Sequence, residues 1–353
     1  LLSSAAELRQ ISLQRSNAVT DAALSALARC TKDRRLLVRM DLSGCLRYSD
    51  EGLLTLLHRT GFLLQSLNIS DCTQISDIGL FGLCKANKLR HLDLSGCNFG
   101  DVVLGWIAQF CSENLKDLIL AGCKGISSEG LKYFKSGFPI MEKLVTCGCD
   151  KMADEGFELA LPGLPMLTHL DVSHCASLTD RTLECLSSHC PMMKHLFVGG
   201  IRGISNPGLQ AVGQGCKGLE TLDATYSAIG LQLTSKSRIT QISNPGLQDL
   251  AQGCQGLKVL KLSGACKISD AGLVVVASKC GWLEVLTLKF CHNVTSVSVG
   301  AIGRNCPHLN HLDLMGCVLV DDEGIVKIGH GCPKLVYLDV IGLCKLTDVS
   351  ARA

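Results

Sequence analysis

Along 309–333, LNHLDLMGCVLVDDEGIVKIGHGCP, apolar and polar positions change period once, and the change divides the stretch into a strand, a turn and a helix. Leu312 and Leu314 alternate with polar neighbours, which is the period-two signature of a half-buried strand. Cys317 then turns inward and Val320 re-enters the core. Asp321 and Asp322 supply capping oxygens and negative charge at a helix start, while Ile325 and Ile328 fall on one helical face. Gly331 ends the helix, and Cys332-Pro333 lead to Leu335, where the next strand begins. Such a unit has an apolar face that it cannot bury alone, so neighbouring units must stack on it.

The pattern recurs throughout the chain. The position of Cys317 is matched at Ser16, Cys45, Cys72, Cys97, Cys123, Cys149, Cys175, Ile201, Ser227, Ala265, Cys291 and Leu343, and from Cys123 to Ser227 each step is 26 residues. The step from Ser16 to Cys45 is 29 residues and carries Lys32-Asp33-Arg34-Arg35; the step from Ser227 to Ala265 is 38 residues and carries the polar, basic run 231–240. Both additions are expected to be surface loops. Near-copies flank the second, ISNPGLQAVGQGCKGL from Ile204 and ISNPGLQDLAQGCQGL from Ile242, a sign of local duplication. Pro207 and Pro245 sit where a helix begins, the place that tolerates proline. The expected architecture is α/β: about thirteen short parallel strands in sequence order along the inside of a curved solenoid, with helices outside.

The consensus L-x-x-L-x-L-x-x-C-x-x-[IL]-[ST]-D-x-G-L, seen in LRHLDLSGC from Leu89 and in Ile75-Ser76-Asp77-Ile78-Gly79-Leu80, resembles the cysteine-containing leucine-rich repeats of F-box/leucine-rich-repeat proteins. The resemblance covers nearly the whole chain. It implies a horseshoe of leucine-rich repeats acting as the substrate-recognition array of an F-box-type (Skp-cullin-F-box) ubiquitin ligase, with the ligase adaptor reached only through an N-terminal F-box that is not visible here. Leu1 reads as the tail of a preceding unit and Ser350-Ala351-Arg352-Ala353 stops before its helix, so residues 1–353 are expected to be one array cut from a longer protein, with an inserted loop near 228–241. The alternative is a structural adaptor, a cytoskeletal or ciliary scaffold built from the same repeats without an F-box.

Charge and composition narrow the field of partners. With 34 basic and 32 acidic residues the net charge is +2, which leaves no global field for nucleic acid or an anionic membrane. Apolar runs such as Gly272–Ala277 are far below the roughly 20 residues of a membrane span. The 21 cysteines recur with the repeat, one set at strand ends and a second (Cys111, Cys190, Cys216, Cys254, Cys280, Cys306, Cys332) closing helices. Ile201, Ala265 and Leu343 replace the first set, as packing allows and a bond partner would not, so the thiols are expected to be reduced. This places the protein in the cytoplasm, the nucleus, or on a cytoskeletal or ciliary structure.

No catalytic set stands out from the repeat, and neither an enzyme, a cofactor nor a metal is expected. Gly213-Gln214-Gly215-Cys216-Lys217-Gly218 matches a dinucleotide fingerprint in letters, but it ends a helix and precedes a strand, the reverse of the order that binding requires. Cys147-Gly148-Cys149 has no second pair at zinc-site spacing. His91, His169, His195 and His311 all precede a core leucine and face outward; His169 and His195, in successive repeats with Asp171 near, read as partner contacts before a metal or pH site. Between the two core leucines the usual residue is aspartate, and Ile119, Val145 and Phe197 replace it with apolar groups expected to be exposed. With Asp171, Asp223, Lys261, Lys289, His169 and His195 on the same face, and Lys236 and Arg238 in the inserted loop, these residues form the candidate surface for a protein partner.

Overall fold

The computed structural model describes residues 8–30, 37–226 and 241–352, so the loop read at 31–35 and, apart from Gln241, the loop read at 228–241, with Lys236 and Arg238, lie outside the described residues. Two compact units meet in the sequence at Cys175 and Ala176. The first contains β1 (Gln10–Ser12), α1 (Asp21–Cys30), β2 (Arg39–Asp41), α2 (Asp50–Thr60), β3 (Ser66–Asn68), α3 (Asp77–Leu80), β4 (His91–Asp93), α4 (Asp101–Phe110), β5 (Asp117–Ile119), α5 (Ser128–Leu131), β6 (Lys143–Val145), α6 (Asp154–Ala160) and β7 (His169–Asp171). The second contains α7 (Asp180–His189), β8 (His195–Phe197), α8 (Asn206–Gly215), β9 (Thr221–Asp223), α9 (Asn244–Gly253), β10 (Val259–Lys261), α10 (Asp270–Lys279), β11 (Val285–Thr287), α11 (Ser296–Asn305), β12 (His311–Asp313), α12 (Asp322–Gly331) and β13 (Tyr337–Asp339).

Within each unit the strands pair in parallel and in sequence order, as expected. The register places each strand's central residue beside its equivalents: Met40, Leu67, Leu92, Leu118, Leu144 and Leu170 in the first unit, and Leu196, Leu222, Leu260, Leu286 and Leu312 in the second, all buried. Leu338, the same residue on β13, is 37% exposed, because among the described residues no strand stacks beyond it. The exposure of Leu338 shows that a repeat relies on its neighbours for cover, the property of a stacked array.

The aspartate of the D-x-G-L motif joins one helix to the next. Asp50 accepts hydrogen bonds from the backbone N–H (2.8 Å) and hydroxyl (2.6 Å) of Ser76, which caps α3. Asp101 does the same for Ser127 and Asp270 for Thr295, and at Asn206 and Asn244 an amide replaces the carboxylate, accepting from Ser243 and Ser269. The glycine of the motif is the other half of this joint. A Cβ on Gly79 would lie 2.5 Å from Asp50 Oδ1, and one on Gly272 would lie 2.7 Å from Asn244 Oδ1, so only glycine lets the bridging side chain in.

Thiols form two further ladders. At strand ends the Sγ of Cys72, Cys97, Cys123, Cys149 and Cys175 each donates to a carbonyl of the preceding repeat, those of Leu42, Ile69, Leu94, Leu120 and Thr146, at 3.1–3.3 Å; Cys317 does so to Leu288. At helix ends of the second unit Cys254 donates to the carbonyl of Cys216 (3.3 Å), Cys280 to that of Cys254 (3.6 Å) and Cys332 to that of Cys306 (3.5 Å). Here the cysteine is both a small apolar group and a weak second donor to a carbonyl that already accepts a backbone N–H, as the Leu42 carbonyl does from Cys45 and the Cys216 carbonyl from Leu219. Every cysteine whose side chain is described is free of disulfides.

Candidate protein-interaction surface

The strand face of each unit is built from the residues on either side of the central leucine, and the one after it has a local job. Asp93 Oδ1 accepts from the backbone N–H (3.0 Å) and hydroxyl (2.7 Å) of Ser95, closing the turn into the strand-end thiol. Asp41, Asp171, Asp223, Asp313 and Asp339 accept from the residue two positions on in the same way, as does Asn68. This side-chain turn explains the frequency of aspartate in the sequence without reference to any partner. It also changes the weight of two expected site residues: Asp171 and Asp223 stand on the strand face, but one oxygen of each is already held by Ser173 and Thr225.

Ile119, Val145 and Phe197 forgo this turn. Ile119 and Val145 are register partners in the first unit, with Asp93 on the far side of Ile119. Ile119 is half-buried, whereas Val145 is 8% exposed, so the reading of Val145 as an exposed group is corrected. Its neighbours in the ladder, Ile119 and Asp171, lie to either side and cover a short branched side chain that sequence alone places in the open. Phe197 is half-buried in the second unit, beside Asp223, which in turn is paired in register with Lys261.

The basic spot expected at Lys261 and Lys289 is also corrected, because neither ammonium is an uncompensated charge. Lys261 Nζ lies 3.2 Å from Asp223 and Lys289 Nζ 2.9 Å from Asp313, a carboxylate at 2% exposure. The hydrogen bond to Asp313 raises the Lys289 pKa, which favours the charged ammonium. His169 belongs to the first unit, in register with Lys143, and His195 to the second, where its Nδ1 lies 3.1 Å from Thr221 Oγ1. Elsewhere on the strand face His91 pairs with Asp117 at 2.5 Å, and His311 stacks flat on Tyr337 with ring centroids 4.2 Å apart.

The chemistry-bearing motifs resolve into packing. Gly148, with φ +70°, turns Cys149 into the core and leaves Cys147 half-buried. Burial pushes the Cys149 thiol up to about 12 and Cys175 to about 11, the opposite of an activated nucleophile. In the glycine-rich run Gly213 is a contact between helices: a Cβ on Gly253 would overlap the Gly213 carbonyl. Among the described residues no three His, Cys, Asp or Glu side chains gather as metal ligands would, and no helix is long and apolar enough to cross a membrane.

Sequence reasoning missed the helical side of the first unit. There α3 and α5 have four residues each and continue as 3-10 turns, Phe81–Lys85 and Lys132–Ser136. Phe81 is left 52% exposed, packed edge-on against Trp106 of α4 with centroids 5.2 Å apart, and Tyr133 is exposed on the other side of Trp106. A groove opens on each flank of this indole. Two signals were in the sequence: the step from Cys72 to Cys97 is one residue short, and neither 3-10 segment ends in the cysteine that closes the regular helices.

A leucine-rich-repeat family model, described as "Leucine Rich repeat", matches residues 62–84, 85–102, 111–135, 163–187 and 305–329. Among solved structures, a chain of the yeast Rad7 and Elc1 complex aligns over 94% of this chain and 85% of its own length, with a TM-score of 0.55 and 19% identity. The internalin InlF of Listeria monocytogenes aligns over 94% of this chain and 86% of its own, with a TM-score of 0.61 and 17% identity. At these identities the likeness is one of fold. Leucine-rich repeats are present in the chain, and their ladder of short parallel strands with helices behind it is the architecture of a protein-interaction module.

Proposed function

We propose that the strand face of each unit binds protein, around Ile119 in the first and around Phe197 in the second, and that the chain is the substrate-recognition array of an F-box-type ubiquitin ligase. The observation that carries the binding reading is the loss of the turn-closing aspartate at these positions. An aspartate there gives a turn hydrogen bond worth about 0.5–1.5 kcal/mol, so an apolar, half-buried side chain in its place forgoes local stability and presents a surface that gains from being covered. Phe197 is the anchor, because aromatic groups in the middle of an interface contribute about 2 kcal/mol or more. Val145 flanks Ile119 on the adjacent strand, and in the second unit the Lys261–Asp223 and Lys289–Asp313 pairs supply a polar margin.

Assignment to the ligase rests on the repeat consensus, in particular the strand-end cysteine followed by the S-D-x-G-L helix start. Support in kind comes from the Rad7 and Elc1 complex, in which an array of this fold is found with a second protein.

The test uses the full-length protein in cells with a photo-cross-linking residue at position 197 and, as control, at Lys327 on the helical side. Proteins captured at 197 and not at 327 are expected to carry ubiquitin chains and to accumulate when the proteasome is inhibited. Capture at 197 of a protein that is neither modified nor stabilised would replace the ligase by the cytoskeletal or ciliary scaffold. Equal capture at both positions would remove the strand face as the site. In the purified protein, Phe197→Ala is expected to weaken binding of the captured partner tenfold or more, about 1.4 kcal/mol, with the melting temperature unchanged.

A further inference from the structure

The helical side of the first unit holds a groove with a composition unlike that of the strand face. It runs between α2 and α4, across the place where α3 stops after Leu80 and the chain continues as the tighter 3-10 turn. Gly82 lets that turn lie close on α2: a Cβ there would be 2.6 Å from the Leu57 Cβ. The chain thereby sinks in the middle of the groove and leaves Phe81 standing on its edge-on contact with Trp106. Leu54 and Phe110 extend the apolar floor.

The charged members of the rim, Arg59 and Lys85, are of one sign. Arg59 projects from the last turn of α2 beside His58, and Lys85 ends the 3-10 segment; all three are exposed, no carboxylate lines the groove, and among the described residues neither Arg59 nor Lys85 has an ion-pair partner. The contrast with its neighbour is informative. The groove on the other flank of Trp106 carries both Glu113 and Lys135 and so has no preferred sign. Some lysines elsewhere on both units are paired with carboxylates, as in Lys116–Glu142, Lys124–Asp150 and Lys258–Glu220, whereas this rim combines unpaired cations with a lining that holds no acid. An aromatic floor with an uncompensated cationic rim is complementary to one ligand chemistry.

We propose that this groove docks an acidic segment of a partner protein, a stretch in which one or two large apolar residues are flanked by aspartate or glutamate. The apolar residue covers the Phe81–Trp106 pair, and the flanking carboxylates meet Arg59 and Lys85. This surface is independent of the strand-face reading, so the protein can hold such a segment on its helical side while a second partner occupies the ladder.

Trp106 reports the event directly, since the chain has two tryptophans and Trp282→Phe leaves it as the sole indole. The probe is a short synthetic peptide of glutamates around a leucine–phenylalanine pair, titrated into the Trp282→Phe protein at low salt, with a lysine version of the same peptide as control. The expected result is a saturable change in Trp106 emission with a Kd below about 1 mM, weakening as salt is added, and no saturation with the lysine peptide. Arg59→Glu combined with Lys85→Glu should weaken the glutamate peptide at least tenfold and admit the lysine peptide; both side chains are exposed, and Arg59→Gln with Lys85→Gln serves if the reversed protein does not fold. Phe197→Ala should leave the titration unchanged. Absence of saturation up to about 1 mM, equal binding of the two peptides, or indifference to both pairs of substitutions would overturn the proposal.

Discussion

The two units use the same strand, turn and capping aspartate, yet differ on their helical sides. In the second unit α7 to α12 all have ten residues and, in α8 to α12, the next residue is a buried cysteine that touches a carbonyl of the repeat before. In the first unit the lengths are ten, eleven, four, ten, four and seven residues for α1 to α6, with 3-10 turns completing four of the repeats. The position that the cysteine takes in the second unit is filled by Ala86, Phe138 and Leu164, all buried. Strand geometry admits no such variation, because each strand must match the hydrogen-bond spacing of its neighbour. The outer segment has only to bury one face and return the chain to the ladder, so shorter or tighter forms are tolerated, and grooves open where they occur.

Regular helices in the second unit depend on close approach, and the largest effect is expected there. In Gly253→Ala the added methyl meets the backbone carbonyl of Gly213, which cannot rotate away, and the cost should be about 3 kcal/mol. Gly256→Ala, three residues on, has open space around it and should change stability by less than about 0.5 kcal/mol. Urea denaturation of both variants measures the difference; equal losses would mean that glycine at 253 serves something other than helix contact.

A smaller effect is expected from the thiol ladder. Cys254→Ala removes the second, weaker donor to the Cys216 carbonyl, which keeps the backbone N–H of Leu219, and opens a small gap, at a cost of about 1 kcal/mol. Ala86→Cys, the reverse exchange in the first unit, should not give a matching gain, since Ala86 is already fully buried and an added Sγ must displace its neighbours. A gain at 86 equal to the loss at 254 would show that side-chain volume alone accounts for both.

The smallest effect, and the sharpest in form, concerns acid. Burial alone would raise the Asp270 carboxyl, but hydrogen bonds from Ser298 and Thr295 outweigh it and hold it below the usual range. A carboxyl depressed in the folded state stabilises above its unfolded value of about 3.9, and that stability is lost as pH falls through the folded value. Asp270→Asn copies the arrangement already present at Asn206 and Asn244. It should cost less than about 1 kcal/mol at neutral pH and reduce the loss of stability between about pH 5 and pH 3. An unchanged acid limb would assign that loss to other carboxylates, of which Asp321 and Asp322, depressed by bonds from Ser296 and Thr347, are the first to examine.

How much of this was legible follows from the distances in sequence over which each feature is decided. Thirteen strands and their order were readable because alternation around a leucine is local and the repeat is long enough to be counted. Helix starts were readable for the same reason: Asp321 caps α12 through the N–H of Glu323, two residues away. At Ile119 and Phe197 the sequence showed one apolar residue departing from a repeated aspartate, but both side chains are half-buried where exposure was expected. The candidate site was misread at Val145, whose cover comes from β5 and β7, and at Lys261 and Lys289, whose charges are answered from adjoining strands.

The sequence by itself thus determined the repeat, its strand and helix periods, the residues that cap and turn, and the leucines and thiols destined for the core. Each of those properties is set within a few bonds by backbone sterics, by short-range hydrogen bonding or by the alternation of a strand. Only the tertiary structure decided which thiol meets which carbonyl, which lysine is neutralised, why the motif glycine cannot carry a Cβ, and where Phe81 and Trp106 form a groove. Those contacts join residues about one repeat apart, such as Cys332 with Cys306 or Asp50 with Ser76, and they exist only once stacking has brought successive repeats together.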